Sequence, residues 1–300
     1  MSSSANTTVD TASLSPPQSR IIVFIILIIL LIPSVICSLY LFYQFIQRPE
    51  MRRRDTNLVF ICLIIINFLQ ATGELPLTLT FLYTNQAAIL KPIFCQWWAF
   101  LSAILYGTGL WIMAMGSIER YLFIFHSHAL KKYRIHFRSI SLMICFILPI
   151  GLYIFLVFLF PCTNHFIYII FWCAAPCYMT QSFWQVFSWL IDNGIPMCII
   201  VIVNIFLLTK VLCQKYRMQQ INMWSKNARM LFQLMSVAIL YAVCWLPFLV
   251  SGQIMSYTQD LSSTATMLYL EYFVYLPYIS VTLCPFVCLF SLSKEIFRRQ

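Results

Sequence analysis

The chain has 300 residues, 61% of them hydrophobic and 9% charged, with a formal net charge of +10. Soluble domains carry roughly 25% charged residues, and one of this size has too little interior to hide so much apolar surface. Lipid must therefore cover much of it, which excludes a soluble globule and a disordered chain and leaves the positive charge to be read by position, not as a nucleic-acid footprint.

The first twenty residues are rich in serine and threonine and read as a flexible tail, with a glycosylation sequon at Asn6-Thr7-Thr8. A helix needs about 20 apolar residues to cross the hydrocarbon layer. Seven stretches qualify, at 21–46, 57–84, 96–125, 139–160, 185–212, 230–257 and 264–290. The first stays apolar as far as Phe45, too long for the core of a signal peptide. The second and seventh each carry a glutamate, Glu74 and Glu271. Asp192, Asn193 and Gly194 interrupt the fifth. Prolines at 33, 76, 149, 196, 247, 277 and 285 lie within spans. Neighbouring helices in a membrane bundle can satisfy the carbonyls they free. The longest loop is 161–184, and no internal repeat is visible. The expected architecture is an all-α membrane protein: an extracellular tail over 1–20, a seven-transmembrane helix bundle over 21–291, and a short amphipathic C-terminal helix over 292–300. Ile296 and Phe297 would share one side of that last helix.

Charge sets the orientation. One set of loops and span ends holds 17 of the 19 basic residues, including Arg52, Arg53, Arg54, Lys131, Lys132, Arg138 and Lys215. The other side has only Arg20 and Lys91. By the positive-inside rule the amino terminus is extracellular, the carboxy terminus cytoplasmic, and the basic face meets anionic membrane lipid. A plasma-membrane location follows. Four of the twelve cysteines (Cys95, Cys162, Cys173 and Cys177) fall on the oxidising side. They allow three pairings. A zinc site with His165 is the alternative, and two disulfides are the simpler reading. No nucleophile–base pair, phosphate-binding glycine loop or metal spacing is present, so neither an enzyme nor a cofactor is expected.

Three motifs narrow the class. The third span starts at Cys95 and ends, 25 residues later, with the arginine of Glu119-Arg120-Tyr121. The sixth contains Cys244-Trp245-Leu246-Pro247, and the seventh has Pro285 shortly before a basic tail. The set resembles the rhodopsin-like (class A) G-protein-coupled receptors across essentially the whole chain. The resemblance implies an extracellular ligand and a heterotrimeric G protein as partner, whose α-subunit helix would insert beside Arg120. It implies that Trp245 senses the pocket, that Pro247 bends the sixth helix, and that Cys95 joins the second exterior loop. In the family that loop's cysteine lies some twenty residues before the fifth-span proline, so the resemblance favours Cys177 as its partner, with Cys173 the alternative; Cys162 and Cys173 would then form the second bridge. An arginine near the membrane boundary must be paired or wetted, and Glu119 is the adjacent candidate partner.

The chain departs from that pattern. Cys284-Pro285-Phe286-Val287-Cys288 stands where the family carries Asn-Pro-x-x-Tyr, Asn67 replaces the sodium-binding aspartate, and Gly109 replaces a serine. A weakened sodium pocket is expected. The seventh span has no lysine for a retinal Schiff base, its matching position being Tyr278, and Ser102 replaces the amine-binding aspartate. Glu74, Asp192 and Glu271 are acids with few basic neighbours and suggest a cationic ligand such as a basic peptide. Ser102, Tyr106, Trp245, Phe248, Tyr272, Tyr275 and Tyr278 complete the candidate ligand set. The alternatives are a non-signalling relative and a transporter, the latter disfavoured by the absence of repeats.

Overall fold

The computed structural model describes residues 18–50, 57–125, 134–174, 176–217, 221–258 and 264–297. Asn6 and the basic residues Arg52, Arg53, Arg54, Lys131 and Lys132 lie outside them. Seven of the described helices are long and apolar enough to cross a membrane. Among the described residues there is no strand.

Helix α1 is Gln18–Gln47 and α3 is Pro92–Phe125. Helix α2 runs Leu58–Leu69, widens into a π-turn at Gln70–Glu74, and continues Leu75–Thr84. Helix α4 runs Arg134–Ile154 and ends in a π-turn at Phe155–Leu159. Helix α5 comprises Ser182–Trp189, a π-turn at Leu190–Gly194, and Ile195–Arg217. Helix α6 is Ile221–Thr258, starting nine residues before the apolar run that announces it. Helix α7 starts as Thr264–Glu271, breaks at Tyr272, makes a 3-10 turn at Phe273–Tyr275, and resumes as Leu276–Phe297. The expected C-terminal helix is thus the direct continuation of α7. Leu292 in it is fully buried, while the side chains of Ile296 and Phe297 lie outside the described residues.

Two of the π-turns have a common cause. Pro76 and Pro196 each follow the last residue of a π-turn by two. Proline offers no N–H to the carbonyl four residues back, and its ring crowds that carbonyl; one widened turn relieves the clash without breaking the helix. Both π-turns hold a carboxylate that the wider turn helps to aim inward, Glu74 in α2 and Asp192 in α5.

Helix α3 is the axis of the bundle. In its most apolar window 61% of residues are buried, against 22% in α1, whose Ile25, Ile29, Ile32 and Ile36 face outward. A soluble protein would not tolerate such an aliphatic exterior; a bilayer requires it. The core is continuous from Leu27 and Leu63 through Leu110 and Met113 to Trp245 and Cys288.

The connection between α4 and α5 folds back over the bundle. Trp172, Cys173 and Ala174 take left-handed backbone conformations with φ of 53°, 56° and 70°. This turn lowers Cys173 onto the first turn of α3, where it is bonded to Cys95 with Cα atoms 5.9 Å apart. Cys162 pairs with Cys177 at 6.1 Å. The expected Cys95–Cys177 and Cys162–Cys173 pairing is therefore corrected. Cys177 begins a short 3-10 turn against the end of α4, next to Cys162, and Asn164 Oδ1 accepts its N–H at 2.8 Å. Counting residues from the fifth-span proline could not detect a left-handed turn four residues earlier.

Candidate functional site

The site is built around Glu74, which is fully buried between α2, α3 and α7. One carboxylate oxygen, Oε1, gathers the donors. Ser102 donates to it at 3.0 Å, Thr78 at 3.2 Å and Trp98 Nε1 at 3.4 Å, and the Tyr278 hydroxyl also bonds it. Thr78 and Tyr278 share a further bond of 2.7 Å. The other oxygen, Oε2, has no hydrogen-bond partner. Four neutral donors, contributed by three helices, thus converge on one oxygen. Removing any donor leaves a buried polar group poorly satisfied.

Tyr106 sits one turn below Ser102 on the same face of α3. Its ring meets Tyr278 at 5.7 Å and Trp245 at 5.2 Å, both edge-on. Trp245 meets Phe248 at 5.7 Å and donates to Ser280 at 3.3 Å. These edge-to-face contacts suit the ring quadrupoles and lock one rotamer against the next. Glu74, Ser102, Tyr106, Trp245, Phe248 and Tyr278 are therefore one cluster, which Tyr275 joins through Phe171.

The folded-back loop closes the cluster. Phe171 packs on Phe81, Trp98 and Tyr275 at 5.5, 5.7 and 5.3 Å. Trp172 reaches Tyr106 at 6.3 Å. Arg20, in the first turn of α1, bonds Asn85 and lies over the Phe81 ring. Sequence reading did not single out Phe171 or Trp172, because an apolar loop beside spans looks like more membrane segment.

Two acids do not belong to the cluster as expected. Asp192 is buried on the other side of α3, where it accepts a 3.0 Å bond from Tyr153 of α4. Gly107 makes this possible: a Cβ there would overlap the carboxylate. Burial, with Asp192 nearby, also pushes the Tyr178 hydroxyl above the usual phenol range. Asp192 is thus a tie between α3, α4 and α5. Glu271 is half-buried at the break in α7, and Tyr272 beside it is exposed. Gly107 and Tyr153 carried no signal in the sequence, since each is an ordinary membrane-helix residue.

At the opposite end, Arg120 is buried with its guanidinium 5.8 Å from the Phe60 ring centroid. Glu119 forms an ion pair with Arg138 of α4. Arg120 is the partner the sequence offers for Glu119; the pair with Arg138 adds a tie between α3 and α4 that adjacency along the chain does not point to. Tyr121 meets Phe206 at 5.6 Å with the rings tilted, and Asn204 donates to Ser117 at 2.8 Å, tying α5 to α3. Midway down, Tyr241 donates to Asn67 at 3.2 Å beside Gly109. Pro285 follows Cys284, whose buried thiol lies 3.8 Å from the buried thiol of Cys288, one turn on. Among the described residues no cluster of three or more His, Cys, Asp or Glu could hold a metal, and His165 joins none.

Seven apolar helices, a disulfide-tied loop over an aromatic cluster, and a buried arginine ending the third helix define a multi-pass receptor fold. The family profile described as 7 transmembrane receptor (rhodopsin family) matches residues 38–287. The chain belongs to that family. A comparison with curated proteins found no match.

Proposed function

We propose that the chain is a receptor that binds an extracellular ligand and promotes nucleotide exchange on a heterotrimeric G protein. The observation that carries this reading is Arg120, buried near the inner end of α3 against Phe60 and within the residues that the family profile matches. A guanidinium at that end can exchange its present contacts for backbone carbonyls of an inserted helix. The amino terminus lies outside the cell and the carboxy terminus inside, on the strength of the 17 basic residues gathered at one face. That face adjoins anionic lipid at the plasma membrane. Trp245 links the aromatic cluster to Pro247, where a missing ladder bond lets α6 bend. Of the three acids, Glu271 stands nearest to exposed surface, and a cationic peptide would meet it first. The test is nucleotide exchange on a panel of α subunits, in membranes holding the chain or its Arg120→Ala variant. Exchange that the variant loses supports the reading; equal exchange in both removes Arg120 from it.

Two observations favour a second reading, a non-signalling relative. Cys284 and Cys288 put thiols where polar groups would relay a change along α7, and the loop fills the space above Tyr106. Surface expression without exchange on any α subunit would select this reading.

A further inference from the structure

A groove of about 840 Å³ opens between α5 and α6, on the membrane-facing side and apart from the Glu74 cluster. That volume lies within the roughly 300–1,000 Å³ of small-molecule sites. Its floor is Met197 and Leu249, both buried, and the bare backbone of Gly194, the last residue of the α5 π-turn. Its rim is Ile202 and Val250, 65% and 58% exposed, so the groove is continuous with the lipid-facing surface. Apart from Trp189, Cys198 and one amide the lining is aliphatic. The one amide is Gln253, five residues before the end of α6 at Thr258 and so toward the disulfide end. An amide can donate to and accept from a headgroup.

The inner wall of the groove is Trp189. Gly252 of α6 seats it: a Cβ there would stand 2.9 Å from the indole. The ring lies 5.2 Å from Phe248, which meets Trp245. A molecule in the groove therefore presses on a ring two contacts away from the tryptophan at the base of the aromatic cluster.

We propose that this groove binds the single acyl chain of a membrane amphiphile, entering sideways from the bilayer with its polar head at Gln253, and that Trp189 passes occupancy to Trp245 through Phe248. Three observations select this occupant. The rim opens to lipid, the lining offers alkyl contacts with a single polar anchor at one end, and the central space is taken by Phe171, Trp172 and Tyr106. The binding site stands independently of the proposed function; only the consequence of occupancy for signalling rests on that reading.

The test uses the full chain in phosphatidylcholine nanodiscs and palmitic acid carrying a mid-chain diazirine. Photolabelling is expected to saturate, to be competed by unlabelled palmitic acid, and to map within 186–202 and 246–254. Val250→Trp and Cys198→Trp, both on exposed lining positions, should each lower it by roughly tenfold, as when a ring fills an apolar pocket. Labelling of the outward isoleucines of α1 serves as the unsaturable background. Labelling that never saturates, or that is unchanged in both variants, overturns the site. Palmitic acid should shift the tryptophan emission of the native chain and leave that of Trp189→Phe unmoved; equal shifts in both overturn the role of Trp189. Saturable labelling in a chain that drives no nucleotide exchange upholds the lipid site while rejecting the receptor reading.

Discussion

Single residues in this bundle carry tasks that their types do not advertise. Gly107 exists to admit the Asp192 carboxylate. Gly107→Ala should lower the melting temperature in detergent, by overpacking worth about 1–3 kcal/mol. Adding Asp192→Ala should recover part of the loss, and a double-mutant cycle would measure the coupling. Two additive losses would show that the two residues do not compete for the same space. Arg138 has a different kind of task, holding Glu119. Arg138→Ala leaves that part-buried carboxylate without its α4 partner and should lower the melting temperature in detergent, while Arg138→Lys recovers part of the loss. An unchanged melting temperature in the alanine variant would count against the pair as a tie between α3 and α4. Part of this scale was legible in the sequence. Glu74, Ser102, Tyr106 and Tyr278 stood in one candidate set, but as positions facing a ligand, and no internal partner was expected for Glu74. Asp192 was misassigned because the cost of an intramembrane acid says nothing about which side of α3 its partner occupies. Arg138 was not foreseen as a partner of Glu119, because nothing in the sequence says that the start of α4 lies beside the end of α3.

At the scale of elements, the seven helices were readable from hydropathy alone, since lipid fixes both their length and their polarity. Their interruptions were only half readable. Prolines 76 and 196 announced irregular turns, but whether a proline kinks, widens or merely starts a helix depends on which neighbours accept the freed carbonyl. Pro33 and Pro247 lie inside helices that remain α. The α4–α5 connection was the least legible element. Its shape comes from three left-handed residues, none of them glycine, held beside Phe171 by contacts from α2, α3 and α7. The two bridges should differ in worth. Cys95–Cys173 closes a segment of 78 residues and Cys162–Cys177 one of 15. Chain-entropy arguments assign them about 4.5 and about 3 kcal/mol. A Cys95→Ser, Cys173→Ser protein should therefore melt lower, and reach the cell surface less, than a Cys162→Ser, Cys177→Ser protein. The reverse order would mean that local strain outweighs loop closure.

The whole molecule is organised by two gradients, apolar outward from α3 and basic toward one membrane face. Both follow from the solvent and were therefore written in composition and loop charge. Orientation has a direct check: Asn6→Gln should abolish a glycosidase-sensitive mass shift, and a carboxy-terminal tag should be stained only after permeabilisation. A tag stained on intact cells would invert the topology. The aromatic loop has one more consequence for the molecule as a whole. Phe171 and Trp172 are a competitor that never diffuses away, because their tether keeps them at the effective concentration of a linked binding module, on the order of millimolar. Any solute approaching the Glu74 cluster from water binds only the fraction of molecules whose loop has lifted, and its apparent Kd is weakened by the reciprocal of that fraction. Selection for potency at such a site would therefore act as much on how often the loop leaves as on what the solute touches.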